Sequence, residues 1–482
     1  MCCLVFGKRR IIVKKGYCGV CLLRDKGRDM KEYDVIVIGS GSGLSLVHKA
    51  LSEKARVALV AREYLGGTCL NVGCVPSKLL LYPADRIMEI ADAGKLGVTA
   101  PIKSIDFTAI MARMRAYVQR GVSFLKEDTA STENLDFYEA EGRFTGDYTL
   151  QVKGEGLRGR KIFIASGARP LVPPIKGLQD VGYLTNETLL SLEKLPESVL
   201  VLGGSYIGVE YAHFFSAMGS KVTIVERLER LVAFEEPEVS DLLKKEMEKR
   251  MTIYTGATAL EARRKGNGVA LLLKEESTGQ EREVAGERLL VAAGRVPNAD
   301  RLDLQKTGVE TDRAGFIKVD NYLQTTKGFI WAVGDATGKQ MFTHAADKEV
   351  KIAWHNATHE EKVEMDFGAV PHAVFSHPQI ASIGLTEARA RKTYQVLVGK
   401  ANYSDVVQGD ARMDETGFAK AILEKDTGRI LGFHIIGPEA SVLIQEVVNA
   451  VANKAGVDSI VNSMHIFPAM SELISETLNK AE

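Results

Sequence analysis

Two stretches of this chain, far apart in sequence, carry the same unit: a short aliphatic run, a glycine-rich turn, then a helical pattern. They are YDVIVIGSGSGLSLVHKAL (33–51) and SVLVLGGSYIGVEYAHFFSAMG (198–219). A buried strand that turns through glycine into a helix aims backbone N–H groups at the space above the sheet, which suits a pyrophosphate. Two such units predict two dinucleotide sites. Strand and helix patterns alternate from residue 33 to about 355, which predicts an α/β fold with parallel sheets. After about 365 short strands (HAVFS, FAKAILE, RILGFHIIG) precede the helical stretch 441–456. This reads as an α+β domain with apolar surfaces suited to subunit contact.

In the first turn, Gly39 permits the tight bend and Gly41 the close approach of a phosphate. Leu44 stands where the strict fingerprint has its third glycine, and Gly43 beside it is expected to relieve the packing. The next strand ends RVALVAREYLGG, with Ala61 where a ribose-binding carboxylate usually falls, so Glu63 is the candidate. In the second turn Gly203, Ser205 and Gly208 occupy the three positions. The following strand ends in Glu226, whose carboxylate accepts from a ribose 2′-hydroxyl and repels a 2′-phosphate, favouring NAD over NADP. Arg227 and Arg230 follow directly, so NADP stays open.

Formal net charge over 482 residues is zero, which gives no general case for nucleic acid or a membrane surface. The balance is uneven: residues 1–29 hold eight Lys/Arg against Asp25 and Asp29, or +6, leaving about −6 for the remainder. That leader also holds Cys2, Cys3, Cys18 and Cys21. It reads as an extension outside the fold, and Cys18-x-x-Cys21 lacks a second pair to complete a metal site. With only Cys69 and Cys74 elsewhere, a disulfide-stapled scaffold is excluded and a reducing cytoplasmic setting is expected. No run of about 18 apolar residues predicts a membrane span.

GGTCLNVGCVPSK (66–78) is the most specific motif. Two cysteines separated by four intervening residues fit one turn at a helix start, where N–H groups and dipole lower thiolate pKa and favour disulfide exchange. With GSGSG (39–43), IASGARP (164–170), GGSYIGVE (203–210), AAGRVPN (292–298), WAVGDATG (331–338) and PAMSE (468–472), it makes residues 31–482 resemble the pyridine nucleotide–disulfide oxidoreductases, dihydrolipoamide dehydrogenase among them.

That resemblance implies an FAD-binding domain in two segments (31–178 and 291–360), an NAD(P)-binding insert (179–290) and a C-terminal dimerisation domain (366–482). Cys74 would be the flavin-proximal thiol and Cys69 the interchange thiol of a redox disulfide. Lys78 would lie near the flavin and pair with Glu210, and Tyr206 would gate the nicotinamide. Asp335 would hold the ribityl chain and His344 would line the flavin. Gly67, Thr68, Gly167, Gly294, Arg295 and Gly334 join the cofactor set through their motifs. The implied partners are a lipoamide-like dithiol or disulfide, a second copy of the chain and a 2-oxoacid dehydrogenase complex.

One departure stands out. The family's proton carrier is a histidine immediately before a proline, oriented by a glutamate and supplied by the other subunit. Here NSMHIFPAMSELI keeps Pro468 and Glu472 but has Phe467 at the histidine position. His465, two residues earlier, is one candidate substitute. A quinone or metal acceptor, needing less proton management at sulfur, is another account, and a substrate group or water is a third. A non-catalytic redox-sensing flavoprotein is the rival of a different class.

Overall fold

The computed structural model describes residues 30–368 and 370–482, together with two short strands, Val5–Phe6 and Arg9–Arg10. The expectations made for the leader's cysteines fall outside the described residues. Strand Lys31–Ile38 lies at the middle of the first sheet, parallel to Val57–Ala61 on one side and Glu155–Ile164 on the other. Its side chains alternate. Val35 and Val37 pack with Leu46 and Val47 of helix Gly43–Ser52, whereas Ile36 and Ile38 pack with Phe144 and Leu150. Val57–Ala61 is buried at all five positions, which is why it reads as an unbroken aliphatic run.

The chain leaves this sheet after Ile164 and returns much later. Ile330–Ala332 pairs in parallel with Glu155–Ile164 and completes the sheet from a distant segment. Between them lies a second parallel sheet, ordered Thr252–Tyr254, Lys221–Val225, Ser198–Leu202, Arg288–Val291. An antiparallel three-stranded sheet follows Thr252–Tyr254, made of Ala257–Lys265, Gly268–Glu275 and Glu281–Gly286. The two glycine turns therefore sit on two separate sheets.

Helix Cys74–Asp92 of the first unit packs on helix Tyr206–Met218 of the second, with Leu80, Leu81 and Ala84 in one core with Tyr211, Phe214 and Phe215. Pro83 stands inside the first of these helices and has no N–H to give the Leu79 carbonyl. The Arg113 guanidinium donates to that carbonyl instead, at 3.0 Å. Asp85 and His213 meet across the same helix pair at 2.9 Å.

The C-terminal part is a five-stranded antiparallel sheet, ordered His372–Val374, Ile380–Gly384, Ile430–Ile436, Phe418–Glu424, Val396–Asn402. Helices Ala440–Ala452 and Glu472–Asn479 cover one side of it. Among the described residues no helix is long and apolar enough to cross a membrane.

A buried ion cluster ties this sheet to helix Pro237–Glu248 of the inserted segment. Lys420, its side chain 4% exposed, donates to Glu236 and Glu238 at 2.8 Å each and lies 2.7 Å from Glu387. Burial alone would lower the ammonium's pKa, but the three carboxylates outweigh it and raise it. Removing one partner from such a cluster leaves the others desolvated and unneutralised. Lys420→Met is expected to cost about 3 kcal/mol, read as a lower denaturant midpoint; an unchanged midpoint would mean that the cluster contributes no more than its packing.

Candidate active site

A single cleft of about 2020 Å³ runs between the first sheet, the inserted segment and the C-terminal sheet. Gly39, Gly41, Gly67 and Thr68 line one end, Cys69, Cys74 and Lys78 the middle, and Tyr206 and Glu210 the far wall. Both glycine turns need their glycines. A Cβ on Gly39 (φ +104°) would lie 2.1 Å from the Ala165 carbonyl oxygen, and one on Gly203 (φ +113°) 2.3 Å from that of Ala292. Gly208 packs its helix 1.9 Å, by the same measure, from the Gly203 carbonyl oxygen. In the first unit Gly43 takes that part: its Cβ would press on Val37 at 2.9 Å, so Leu44 needs no glycine.

The thiol pair departs from the expected single helical turn. Cys69 lies in the short helix Gly67–Val72, whereas Cys74 opens helix Cys74–Asp92. Gly73 breaks the two apart, where a Cβ would meet the Thr68 carbonyl oxygen at 2.9 Å. Both cysteines are free thiols. The Cys69 thiol donates to Cys74, Thr343 Oγ1 lies 3.3 Å from Cys74 Sγ, and the Lys78 charge is nearby. These interactions overcome burial and bring Cys74 down to about 6, while the shared proton and burial push Cys69 up. The thiolate of the pair resides on Cys74.

Lys78 is fixed by Glu210, whose two oxygens accept from Nζ at 2.9 and 2.8 Å. Glu210 also accepts from the Phe375 N–H at 3.0 Å, and Lys78 stands 4.5 Å over the Phe375 ring. Three segments thus converge on one ammonium. Tyr206 lies against Phe342 and His372, with ring centroids 5.9 and 5.8 Å away. Phe342 in turn stacks on His344, whose Nε2 donates to the Pro371 carbonyl at 2.6 Å.

The first end of the cleft suits a large polar cofactor. Ser166 Oγ and Arg295 Nε are buried there without a hydrogen-bond partner among the described residues, while Asp335 lies 3.4 Å from Arg295 Nε. Burial raises the Asp335 carboxyl despite that guanidinium. Gly167 and Gly294, both at positive φ, open the floor of the cleft. These donors and acceptors fit the polar chain and pyrophosphate of FAD. Glu63 is at the rim, ion-paired with Arg62, and Ala61 is buried.

At the second turn, Glu226 accepts from the Gly204 and Leu228 N–H groups at 2.6 and 2.7 Å, each oxygen keeping a lone pair for a ribose. Arg230 is engaged by Asp241 at 2.8 Å, whereas Arg227 is exposed.

The described residues of one chain do not bring the C-terminal candidates to the thiols. His465 Nε2 pairs with Glu446 at 2.9 Å, and Glu472 accepts from the Ala469 N–H at 3.1 Å. Neither residue lines the cleft, and Phe467 is 73% exposed. Thr343, Glu349 and His372 escaped the sequence reading. Glu349 lies beneath the 334–335 turn, accepts from the Gly334 N–H at 2.5 Å, and is pushed up to about 7 by burial.

Residues 33–360 match the pyridine nucleotide-disulphide oxidoreductase family, and residues 370–478 match that family's dimerisation domain. The chain belongs to the pyridine nucleotide-disulphide oxidoreductases. It is an FAD-dependent, NAD(P)H-linked disulfide oxidoreductase with relatives of several specificities. A mycothione reductase of Mycobacterium tuberculosis is 32% identical, covering 93% of this chain and 99% of its own. A dihydrolipoyl dehydrogenase of Synechocystis is 33% identical with the same coverage, and a mercuric reductase of Staphylococcus aureus is 32% identical over 92% of this chain and 81% of its own. Among solved structures, a Cu(II) complex of the HOCl-induced flavoprotein disulfide reductase RclA from Escherichia coli superposes with TM-score 0.83. It shares 28% identity and covers 93% of this chain and 99% of its own.

With its folded value at about 6, Cys74 is ionised above that pH and protonated below it. Thr343→Val removes a hydrogen bond to the charged form. Such a bond contributes about 1.5–3 kcal/mol and one pH unit is about 1.4, so the midpoint is expected to rise by about one to two units. The pH dependence of thiol alkylation in the dithiol form measures this, and an unmoved midpoint would assign the depression to Cys69 and Lys78.

Proposed function

We propose that this enzyme passes electrons between NADH and a small disulfide or dithiol of the lipoamide class, through FAD and the Cys69/Cys74 pair. The observation that carries this reading is the Cys74 thiolate, supported by Cys69, Thr343 and Lys78 in the cleft that also holds Tyr206. A flavoprotein that only sensed nucleotides would have no need of that arrangement. Bound FAD supplies the two-electron relay between nicotinamide and thiols. Lys78 with Glu210 holds a positive charge beside the relay, Tyr206 covers the nicotinamide position, and Cys69 exchanges with the substrate. Gly39, Gly41, Gly43, Gly67, Thr68, Gly167, Gly294, Arg295, Gly334, Asp335 and His344 hold FAD. Gly203, Ser205, Gly208 and Glu226 hold the nicotinamide dinucleotide.

The working unit in this reading is a homodimer. Met464, Ile466 and Phe467 stand exposed in a row, as does Val442 on helix Ala440–Ala452, and an apolar patch of this kind supports burial against a second copy. A cytoplasmic setting, with a lipoamide-bearing 2-oxoacid dehydrogenase complex as the source of dithiol, follows from the same proposal.

Phe467 favours a second reading. Phenylalanine cannot carry the proton that a departing thiolate needs, so the natural acceptor would be one that makes no such demand at sulfur, a quinone or a metal ion. The RclA structure is described as a Cu(II) complex. The two readings divide on turnover with lipoamide and with a quinone in the natural enzyme and in Phe467→His. A positioned imidazole contributes about 10²–10⁴-fold, so lipoamide turnover is expected to rise at least tenfold in the variant. No gain would mean that the missing histidine does not limit the reaction. Undiminished disulfide activity in His465→Ala would remove that residue as substitute base.

NADH is expected to bleach the bound flavin at least tenfold more efficiently than NADPH. Glu226→Ala should narrow that preference by about tenfold, the effect of losing one charge-assisted hydrogen bond. Equal bleaching by both nucleotides in the parent enzyme would contradict the assignment of Glu226.

A further inference from the structure

The Tyr206 side of the cleft holds a histidine–carboxylate pair that the thiol mechanism does not use. Glu235 is fully buried, its side chain 0% exposed, and its two oxygens have different partners. His372 Nε2 donates to Oε1 at 2.8 Å and Ser382 Oγ donates to Oε2 at 2.6 Å. Burial alone would raise the Glu235 carboxyl; the hydrogen bond from His372, its charge and the Ser382 hydroxyl outweigh it and hold it below the usual range. With Nε2 committed, Nδ1 is the His372 nitrogen without a partner among the described residues, and His372 lines the cleft.

Behind the pair runs a chain of buried polar groups. Ser382 Oγ lies 3.0 Å from His434 Nδ1, and His434 Nε2 donates to the Leu385 carbonyl at 3.1 Å. Serine has one proton to give. It goes to the Glu235 carboxylate. Glu235, Ser382 and His434 thus form one buried hydrogen-bonded line directly behind His372.

In front of the pair is an aromatic shelf. Phe342 lies near-parallel to His372 (9°, centroids 5.5 Å) and to His344 (15°, 5.6 Å), and Tyr206 leans on it. Parallel rings of this kind receive a flat ligand by stacking. Polar chemistry and shape thus combine at one point: a planar molecule on the shelf would meet Nδ1 of His372, which is an N–H donor when the ring carries both protons.

We propose that His372, held by Glu235, is the proton donor of a second electron exit on the Tyr206 side of the cleft, where a quinone is reduced without passing through Cys69 and Cys74. This rests on the second reading above and assigns its site. The reaction balances as NADH + H⁺ + quinone → NAD⁺ + hydroquinone. Two electrons and one proton reach the quinone as a hydride equivalent originating in NADH. The other proton leaves His372 Nδ1 for the quinone oxygen as its C=O bond becomes C–OH, and water restores it to the partly exposed ring.

The test uses the FAD-loaded enzyme with NADH as donor and a water-soluble naphthoquinone or lipoamide as acceptor. His372→Phe keeps a stacking ring but removes the donor. Its naphthoquinone kcat is expected to fall about 10²-fold with KM within about threefold, while lipoamide kcat stays within about twofold. Quenching of bound-flavin fluorescence by the naphthoquinone, without NADH, should titrate with the parent's midpoint in His372→Phe and a weaker one in His372→Ala. Added imidazole should restore naphthoquinone turnover to His372→Ala, which loss of packing alone would not allow. Equal naphthoquinone kcat in the parent and His372→Phe would overturn the proposal. Failure of the disulfide reading looks different: the parent would not turn over lipoamide, while the His372 effect on naphthoquinone would stand.

Discussion

The ion pair between Lys78 and Glu210 joins two parts of the chain 132 residues apart, and the geometry of the cleft depends on it. Lys78 stands one turn beyond Cys74 on helix Cys74–Asp92, and Glu210 stands in the first turns of helix Tyr206–Met218. Their bidentate contact closes the seam between the first unit and the insert. Glu210 is almost wholly buried, so loss of the lysine would leave a desolvated carboxylate facing the thiols. The apolar contacts of Leu80, Leu81 and Phe214 beneath the pair supply the rigidity that holds the charges in register.

The electrostatics of the thiols follow from that arrangement. A cysteine at a helix start is already inclined to ionise, but here burial opposes it. The balance is decided by three neighbours drawn from separate segments: Cys69 from the preceding helix, Thr343 from the start of helix Thr343–Thr358, and Lys78 with its carboxylate. Gly73 makes this possible by breaking the helix between the cysteines. A continuous helix would set the two thiols about 140° apart around its axis, whereas the break turns Cys69 toward Cys74 and lets one proton serve both.

Much of the architecture was legible in the chain. The aliphatic runs at 35–38 and 199–202 flow into glycine turns whose positive φ values no other residue adopts cheaply, so both strand–turn–helix units could be read locally. The misfit at Leu44 was also resolvable, because Gly43 lay beside it. The thiol pair was found by spacing, but its helix break was not, since Gly73 was read as part of one turn. Glu235, Ser382 and His434 gave no local signal at all. They lie 147 and 52 residues apart along the chain, and only the docking of the insert on the C-terminal sheet brings them into one hydrogen-bonded line.

The sequence by itself determined the backbone chemistry: where glycine bends the chain, where thiols stand five residues apart, and that position 467 holds phenylalanine. Those are properties of single residues and short runs, fixed by sterics and side-chain chemistry before any folding. The tertiary structure decided which groups share a proton or a charge. Cys74 owes its thiolate to Cys69, Thr343 and Lys78, and His372 its orientation to Glu235, because hydrogen bonds and desolvation act over a few ångströms in space irrespective of separation along the chain.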